Sequence, residues 1–296
     1  MLETGQSSAG VPGMAGTAPA WRVGTSFQPL FSVRDAALAG FEALARPMSG
    51  AIASVRPSAY FAAHGGADLA RIDRECRHAH LSRFASLDQG EGFLCLNMHP
   101  RSALADVTAA DLRAELGLHG LEPSRICIEL LGDASGDEKL LAEVVAACRA
   151  IGVRVTMDNF GVAHSNFDRV MGLAPDFVKI DRSLVGEAAG CAKARCLLPS
   201  VIRLLHDAGT QVIVEGIEEA PHALLAIEAG ADFVQGYYFG APRAVLSAEP
   251  LTLRLLAELK KVHRAPVPDP DDCDVDPANF CLARLLMAGR ALAVEG

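Results

Sequence analysis

The segment VRVTMDNFG, residues 153–161, shows the pattern that decides the fold. It contains a short apolar run that stops at a polar residue, Asp158. A nearly continuous apolar run is typical of a parallel β-strand buried on both faces. Six other runs have this form: GFE at Glu42, FLCLN at Asn97, ICIE at Glu129, FVKID at Lys179 and Asp181, VIVE at Glu215, and FVQ at Gln235. Because a (β/α)8 barrel presents polar residues at its strand ends, the sequence predicts an α/β fold of this TIM type.

Helical stretches separate the runs at the spacing expected of βα units. They are predicted at 57–88, 108–116, 137–150, 165–173, 193–208, 220–229 and 250–263. One strand breaks the alternation. A strand that begins at Trp21 turns near Arg34 and Asp35 directly into the run that carries Glu42. Strands this close in sequence can only form a hairpin, so one strand near the N-terminus is predicted to be antiparallel.

Composition divides the chain into three parts. Residues 1–20 are rich in Gly, Ala, Ser, Pro and Thr and are predicted to be a disordered tail. Residues 21–250 are assigned to the barrel, and residues 251–296 to a C-terminal helical extension. Within that extension, residues 265–277 form a Pro/Asp linker, and residues 278–294 are predicted to form a last apolar helix.

Charge and cysteine content narrow the class of function. The net charge of −9 argues against binding a nucleic-acid polymer or an anionic membrane. The eight cysteines lack CxxC spacing, and Cys95 and Cys127 lie inside apolar runs, as expected of buried reduced thiols. The sequence shows no secretory signal and no apolar stretch of spanning length. A cytoplasmic protein without a membrane span is therefore expected.

The strand ends together predict a metal site. A single Glu after a strand is more often a solvated loop carboxylate, but here Glu42, Asn97, Glu129 and Asp158 share one edge. Neighbouring side chains extend the cluster: Asn159, Glu215 and Gln235. Carboxylates packed this closely repel one another unless cations neutralise them, and oxygen ligands suit Mg²⁺ or Mn²⁺. Two such ions are a common apparatus for phosphodiester hydrolysis.

The run FEALAR, residues 41–46, resembles the signature of the EAL-domain family, the cyclic di-GMP phosphodiesterases. The resemblance extends from about Gln28 to Pro242. Further matches carry it: Gln28-Pro29, Asn97, Glu129, the stretch from Met157 to Gly161, Val178 to Asp181, Glu215 to Glu218, and Gln235 to Tyr237. This resemblance implies hydrolysis of cyclic di-GMP to the linear dinucleotide pGpG, in a bacterial signalling system that switches between biofilm and motility.

The resemblance also implies a role for each matched residue. Glu42, Asn97, Glu129 and Asp158 would hold a first metal ion; Asp158, Asn159 and Glu215 would hold or support a second. Lys179 would orient the attacking water or balance charge, and Gln235 would contact water. Ligand contacts are implied for Gln28, Leu44, Arg46, Asp181, Glu218 and Phe239. In the family Gln28 and Arg46 would hold the phosphate and backbone of the ligand, and Phe239 would stack on a guanine. A guanidinium matches phosphate bidentately whatever the family, although the alternative for Arg46 is a surface salt bridge, and Phe239 can equally pack in the core.

Three departures from the family pattern leave two functions open. Asn159 replaces a second Asp, and Gly132 stands where the family has a Glu. The loop at 161–166 lacks the usual second Gly and paired serines, and its His164 is more simply an exposed loop residue. One hypothesis is a working but slow phosphodiesterase. The alternative is a cyclic di-GMP receptor or protein-binding regulator on the same barrel. The family further suggests a homodimer, by analogy. The sequence shows no obvious cyclase or sensory module, so regulation is expected through the tails, a protein partner or dimerisation.

Overall fold

A computed structural model of the protein describes residues 21–49, 53–54, 60, 69–88, 90–99, 109–130, 138–161 and 167–264. The predicted tail at 1–20, the linker at 265–277 and the last helix at 278–294 lie outside these residues, as do Gly132 and His164. The described strands are β1 (Trp21–Ser32), β2 (Ala37–Ser49), β3 (Ala53–Ser54), β4 (Phe93–Met98), β5 (Ile126–Leu130), β6 (Arg154–Phe160), β7 (Phe177–Ile180), β8 (Gln211–Val214) and β9 (Phe233–Val234).

From β3 onward the described helices alternate with the strands, except that two consecutive helices separate β7 from β8. They are α1 (Leu69–Leu87), α2 (Ala109–Leu118), α3 (Glu138–Ala150), α4 (Phe167–Leu173), α5 (Arg182–Gly190), α6 (Ala192–Asp207), α7 (Ala220–Glu228) and α8 (Pro250–Arg264), with a 3-10 turn at Pro123–Arg125. The helix predicted at 193–208 is observed, but it is preceded by α5, which the sequence analysis missed. Asp181 begins α5, because its carboxylate accepts a hydrogen bond of 2.8 Å from the Ser183 amide.

The strands close into a barrel. From β2 through β4 to β9 each neighbouring pair is parallel. Strand β1 closes the ring by pairing antiparallel with both β2 and β9, and β3 adds a short antiparallel pair to the end of β2. The prediction of a (β/α)8-type barrel with one antiparallel strand near the N-terminus is therefore confirmed.

Strand β2 differs from the prediction in its length. The apolar run that carries Glu42 was expected to end there, but β2 continues to Ser49. Pairing explains the difference. Strand β4 accompanies β2 only to Ala43, whereas β1 remains paired with it to Ser49. Glu42 therefore lies near the end of the parallel pairing, although it lies in the middle of its own strand.

An apolar layer fills the barrel interior below this edge. It contains Leu30, Phe93, Cys95, Cys127, Phe177 and Ile213, a buried cluster distinct from the larger core. The rings of Phe93 and Phe177 stack at 5.5 Å, and the Arg154 guanidinium lies 4.4 Å from the Phe93 ring centre. The larger core buries most of the remaining apolar side chains of the strands and helices. No helix in the described ranges is both long and apolar enough to cross a membrane.

Candidate active site at the carboxyl edge of the barrel

The candidate site is a polar layer directly above the apolar interior. In a strand, residues two apart project to the same side. Thus Cys95 is followed by Asn97, Cys127 by Glu129, and Phe177 by Lys179 on the inner side of the barrel. The same step leads from Ile213 to Glu215 and from Phe233 to Gln235. On each of these strands the inward-facing residue two positions after the apolar layer is polar. Together these residues form a ring of polar groups directly above that layer.

Lys179 holds the centre of this ring. Its side chain is 2% exposed, and its Nζ lies 3.0 Å from Glu42 Oε2, 2.7 Å from Glu129 Oε1 and 3.0 Å from Glu215 Oε2. Burial alone would lower the pKa of the ammonium, but the carboxylates of Glu129, Glu42, Glu215 and Asp158 outweigh it and raise the pKa well above its ordinary value. These acidic neighbours therefore favour the charged form of Lys179, and the ammonium accounts for the close approach of three acidic side chains.

Glu42 is the most fully bonded of these carboxylates. Asn97 donates to its Oε1 at 2.9 Å, while Lys179 and Gln235 donate to its Oε2 at 3.0 Å and 2.9 Å. Burial would raise the pKa of Glu42, but Lys179 and the two amides outweigh it and hold the pKa below its usual value. Three side chains, from β4, β7 and the end of β9, thus fix the carboxylate of Glu42 on β2.

Glu129 is less well satisfied. It is 1% exposed, and its Oε2 atom is buried without a hydrogen-bond partner among the described residues. Burial and the nearby charge of Glu42 raise the pKa of Glu129 well above its usual value, against the opposing effect of Lys179. A buried carboxylate oxygen without a partner is costly. A cation that binds this oxygen would remove that cost.

Asp158 and Asn159 form a second, separate feature of the ring. The β6–β7 register shifts between Met157 and Phe160, and Asn159 has a φ of +57°. Asn adopts this left-handed conformation more readily than most residues. The Asn159 backbone N–H donates to Asp158 Oδ1 and its side-chain Nδ2 donates to Oδ2, both at 2.7 Å. Burial raises the pKa of Asp158, although Lys179 opposes the shift. Each oxygen of Asp158 therefore has a donor from Asn159.

The donor set bears on metal binding. Within the described ranges, no three or more His, Cys, Asp or Glu side chains already surround a common point as metal ligands would. In this structure Glu42, Glu129 and Glu215 instead point their oxygens at the Lys179 ammonium. The oxygen-only ligand types and the buried, unpartnered Oε2 of Glu129 nevertheless fit a hard divalent cation.

A cavity of about 440 Å³ opens above the ring. Its size is in the range of small-molecule sites. It is lined by Gln28, Glu42, Asp181, Arg182, Glu215, Gly216, Glu218, Gln235, Gly236 and Tyr237. Of the ligand contacts predicted from the sequence, Gln28, Asp181 and Glu218 are thus brought to one cavity.

The other predicted ligand contacts lie apart from that lining. Leu44 and Arg46 are half-buried on β2, and the Arg46 guanidinium donates to the carbonyl of Ala45 at 3.0 Å. Phe239 is 1% exposed and packs 5.9 Å from the Phe31 ring centre. Phe239 therefore occupies the core, the alternative that the sequence left open, and its face is not available to a guanine base in this structure.

Sequence reasoning missed two side chains that line the cavity, Arg182 and Tyr237. Both lie at motifs that were noticed but were given no role themselves: Arg182 directly follows the motif that ends at Asp181, and Tyr237 is the last residue of the motif that begins at Gln235. Two glycines could have indicated these positions: Gly216, which packs against the Arg182 side chain, and Gly236, which directly precedes Tyr237. Gly216 has a φ of +65°, and a Cβ atom on Gly236 would lie 2.0 Å from the Ile217 carbonyl oxygen. Such close backbone approach marks a shaped loop.

Comparison with known proteins finds a matching family model and several relatives. A family model of the EAL domain matches residues 20–242. The cyclic di-GMP phosphodiesterase RocR of Pseudomonas aeruginosa is 29% identical over 151 residues, 50% of this chain and 38% of RocR. The cyclic di-GMP phosphodiesterase NbdA of the same organism is 25% identical over 250 residues, 80% of this chain and 30% of NbdA.

A solved structure gives the same result for the fold. Klebsiella pneumoniae BlrP1, in a complex with manganese and cyclic di-GMP, superimposes with a TM-score of 0.68 at 25% identity. The match covers 77% of this chain and 58% of that one. The chain spans about a third of the length of the curated relatives it matches.

Proposed function

The chain belongs to the EAL domain family, and from that membership we propose that it hydrolyses cyclic di-GMP to the linear dinucleotide pGpG with a divalent metal. The observation that carries the proposal is the polar ring. Three carboxylates converge on the buried Lys179, and one of them, Glu129, keeps a buried oxygen without a partner in the described part of the chain. A fold needs no such cluster for stability, because buried ion pairs are often no better than apolar packing.

Mg²⁺ or Mn²⁺ is the proposed cofactor, as one or two ions. Glu42, Asn97, Glu129 and Asp158 would hold the first, and Asp158, Asn159 and Glu215 would hold or support the second. When bound, such ions polarise a phosphodiester and stabilise the charge that develops on its oxygens. The complex of BlrP1 with manganese and cyclic di-GMP supports this choice of metal class and ligand.

Lys179 and Gln235 orient Glu42, and other predicted site residues line the cavity for the ligand. Lys179 and Gln235 both donate to Glu42 Oε2, so they fix one oxygen of that carboxylate and leave its orientation defined. In the proposed reaction Lys179 also balances the negative charge that a phosphodiester brings into an acidic site. Gln28, Asp181 and Glu218 line the cavity where the dinucleotide would lie.

A second candidate function is a cyclic di-GMP receptor that binds without turnover. Asn159 favours it. The side-chain Nδ2 of Asn159 donates to Asp158, so the group that stands beside this carboxylate is an amide donor rather than a second negative charge. Such a neighbour supplies less attraction for a second cation.

One assay separates the two functions. The purified chain is incubated with cyclic di-GMP in Mg²⁺ or Mn²⁺, with and without a chelator, and the products are resolved by chromatography. Linear pGpG that forms only with metal supports the phosphodiesterase. Intact ligand that nevertheless binds by titration calorimetry would reject it in favour of the receptor, and neither binding nor turnover would reject both.

A further inference from the structure

Arg182 is held in a defined place at the cavity by its surroundings. Its side chain lies across Gly216, where an added Cβ would come 2.6 Å from the Arg182 Cβ and 3.0 Å from its Cδ. Its Nη1 pairs with Glu218 Oε1 at 3.1 Å. Gly216 therefore provides the space that the arginine occupies, and Glu218 fixes its end.

The charge of the cavity makes this position unusual. Among the described residues that line it, Arg182 is the one cation, while Glu42, Asp181, Glu215 and Glu218 are carboxylates. Lys179 is buried beneath them. A guanidinium offers five N–H donors in a planar fork, and the pair with Glu218 uses Nη1. Arg182 can therefore present further donors to a ligand in the cavity.

The exposed fractions of the side chains show which of them lie at the bottom of the cavity and which lie at its rim. The side chains of Lys179 and Glu42 are 2% and 11% exposed, whereas those of Arg182 and Glu218 are 67% and 54% exposed. Tyr237 is 66% exposed. The proposed reaction places a phosphodiester at the deep carboxylates, so Arg182 and Tyr237 stand at the rim, beside whatever projects outward from the phosphate. In a cyclic dinucleotide the projecting part is a base.

We propose that Arg182 reads a guanine base of the ligand, by donating two hydrogen bonds to its O6 and N7 atoms, with the exposed ring of Tyr237 offering a stacking face. This inference rests on the proposed function. Guanine presents two adjacent acceptors on this edge, whereas adenine presents one acceptor and an amino donor. The arginine fork matches the first pattern and not the second, so Arg182 determines specificity for guanine over adenine.

The test measures the affinity of this chain, residues 1–296, for cyclic di-GMP and for cyclic di-AMP in Mn²⁺. Where chromatography shows that the ligand stays intact, the Kd is measured by titration calorimetry. Where the ligand is hydrolysed, the KM from initial rates is compared instead. Wild type is compared with Arg182→Ala and Arg182→Lys. The matched control is Arg34→Ala, because Arg34 is an exposed arginine beside Asp35 in the β1–β2 turn, away from the cavity.

The expected result is a selective loss. Arg182→Ala weakens binding of cyclic di-GMP by about tenfold and leaves cyclic di-AMP within about twofold of wild type. Arg182→Lys does not restore the preference, because an ammonium cannot supply two N–H donors in a fixed fork. Arg34→Ala behaves as wild type.

Two results would overturn the inference while leaving the proposed function intact. One is wild-type affinity for cyclic di-GMP in Arg182→Ala. The other is an equal loss for both dinucleotides, which would mean that Arg182 contributes only its charge. If wild type neither binds nor hydrolyses cyclic di-GMP, the inference fails together with the function on which it rests.

Discussion

At the scale of single residues, Lys179 and Asn159 define two unlike parts of the ring. Lys179 is surrounded by acceptors and neutralises Glu42, Glu129 and Glu215. Asn159 satisfies Asp158 from the next position in the chain. The first arrangement gathers three acidic side chains around one buried ammonium and holds the pKa of Glu42 below its usual value. The second satisfies the carboxylate of Asp158 without adding a second charge. We therefore expect that replacing Lys179 destabilises the fold, whereas replacing Asn159 with an acid strengthens metal binding.

Lys179→Met should destabilise the fold strongly. The substitution keeps the length of the side chain but leaves buried carboxylates without their cation, which costs about 3–5 kcal/mol in comparable buried pairs. Urea unfolding at neutral pH measures the change in the free energy of unfolding. Lys139→Met is the matched control, since Lys139 is 86% exposed and lies 4.0 Å from Glu143. Equal stability of the two variants would contradict the role given to Lys179.

Asn159→Asp should lower the concentration of Mn²⁺ needed for half-maximal activity and raise turnover. A second carboxylate attracts a cation more strongly than an amide does. The side-chain donor to Asp158 is lost in the same substitution, so the variant should be less stable than wild type in the absence of metal. A metal titration of the initial rate measures the first effect. An unchanged or lower rate would mean that Asn159 does not limit metal binding.

At the scale of elements, α1 packs on the barrel through a buried histidine. His80 on α1 is 5% exposed, and its Nδ1 lies 2.7 Å from Thr25 Oγ1 on β1. Burial lowers the pKa of His80 from 6.5 to about 4. Helix and strand therefore meet at a neutral imidazole, and protonation of that imidazole opposes their contact.

This contact predicts a dependence of stability on pH. The unfolded chain binds a proton at His80 more readily than the folded chain, so the free energy of unfolding falls as pH falls from about 6.5 towards 4. Between about pH 7 and pH 5 the loss from this residue is about 2 kcal/mol. Urea unfolding of wild type and His80→Gln at both pH values measures it. The variant should lose less stability than wild type over this interval, and parallel losses would contradict the assignment.

The elements also show what sequence could and could not predict. The run from Val153 to Asp158 predicted β6 because a buried parallel strand leaves a continuous apolar signature. Helix α5 was missed because it begins at Arg182, immediately after β7, where Asp181 was interpreted only as a site residue rather than as the helix cap. The length of β2 was missed because pairing with β1, and not its own composition, carries it to Ser49.

At the scale of the whole molecule, barrel closure brings distant positions together. Glu42 and Gln235 are 193 residues apart in sequence and 2.9 Å apart in the site, because β1 closes the ring between β2 and β9. Strand ends predicted this clustering, since the fold type fixes which edge they share. Arg182 and Tyr237 were given no role because strand periodicity does not bring them to the cavity. Arg182 reaches it as the first residue of α5, packed against Gly216, and Tyr237 follows the close backbone approach at Gly236.

Metal binding should stabilise the whole molecule. An ion that binds the folded site and not the unfolded chain raises stability by about 2.7 kcal/mol at a hundred times its Kd. Thermal unfolding with and without Mn²⁺ should therefore show a higher Tm with metal. Glu129→Gln should reduce this shift, because it removes the charge of the buried carboxylate with the unpartnered oxygen. The same shift in wild type and variant would place the ion elsewhere.

The central claim is that the polar ring hydrolyses cyclic di-GMP, and it is tested most directly by the initial rate of pGpG formation in Mn²⁺. Glu42→Gln keeps the shape of the side chain and removes the charge to which Asn97, Lys179 and Gln235 donate. Glu249→Gln, an exposed glutamate paired with Arg243, is the matched control. The account predicts wild-type turnover in the control and a loss of at least about a hundredfold in Glu42→Gln. Undiminished pGpG formation by Glu42→Gln would contradict it.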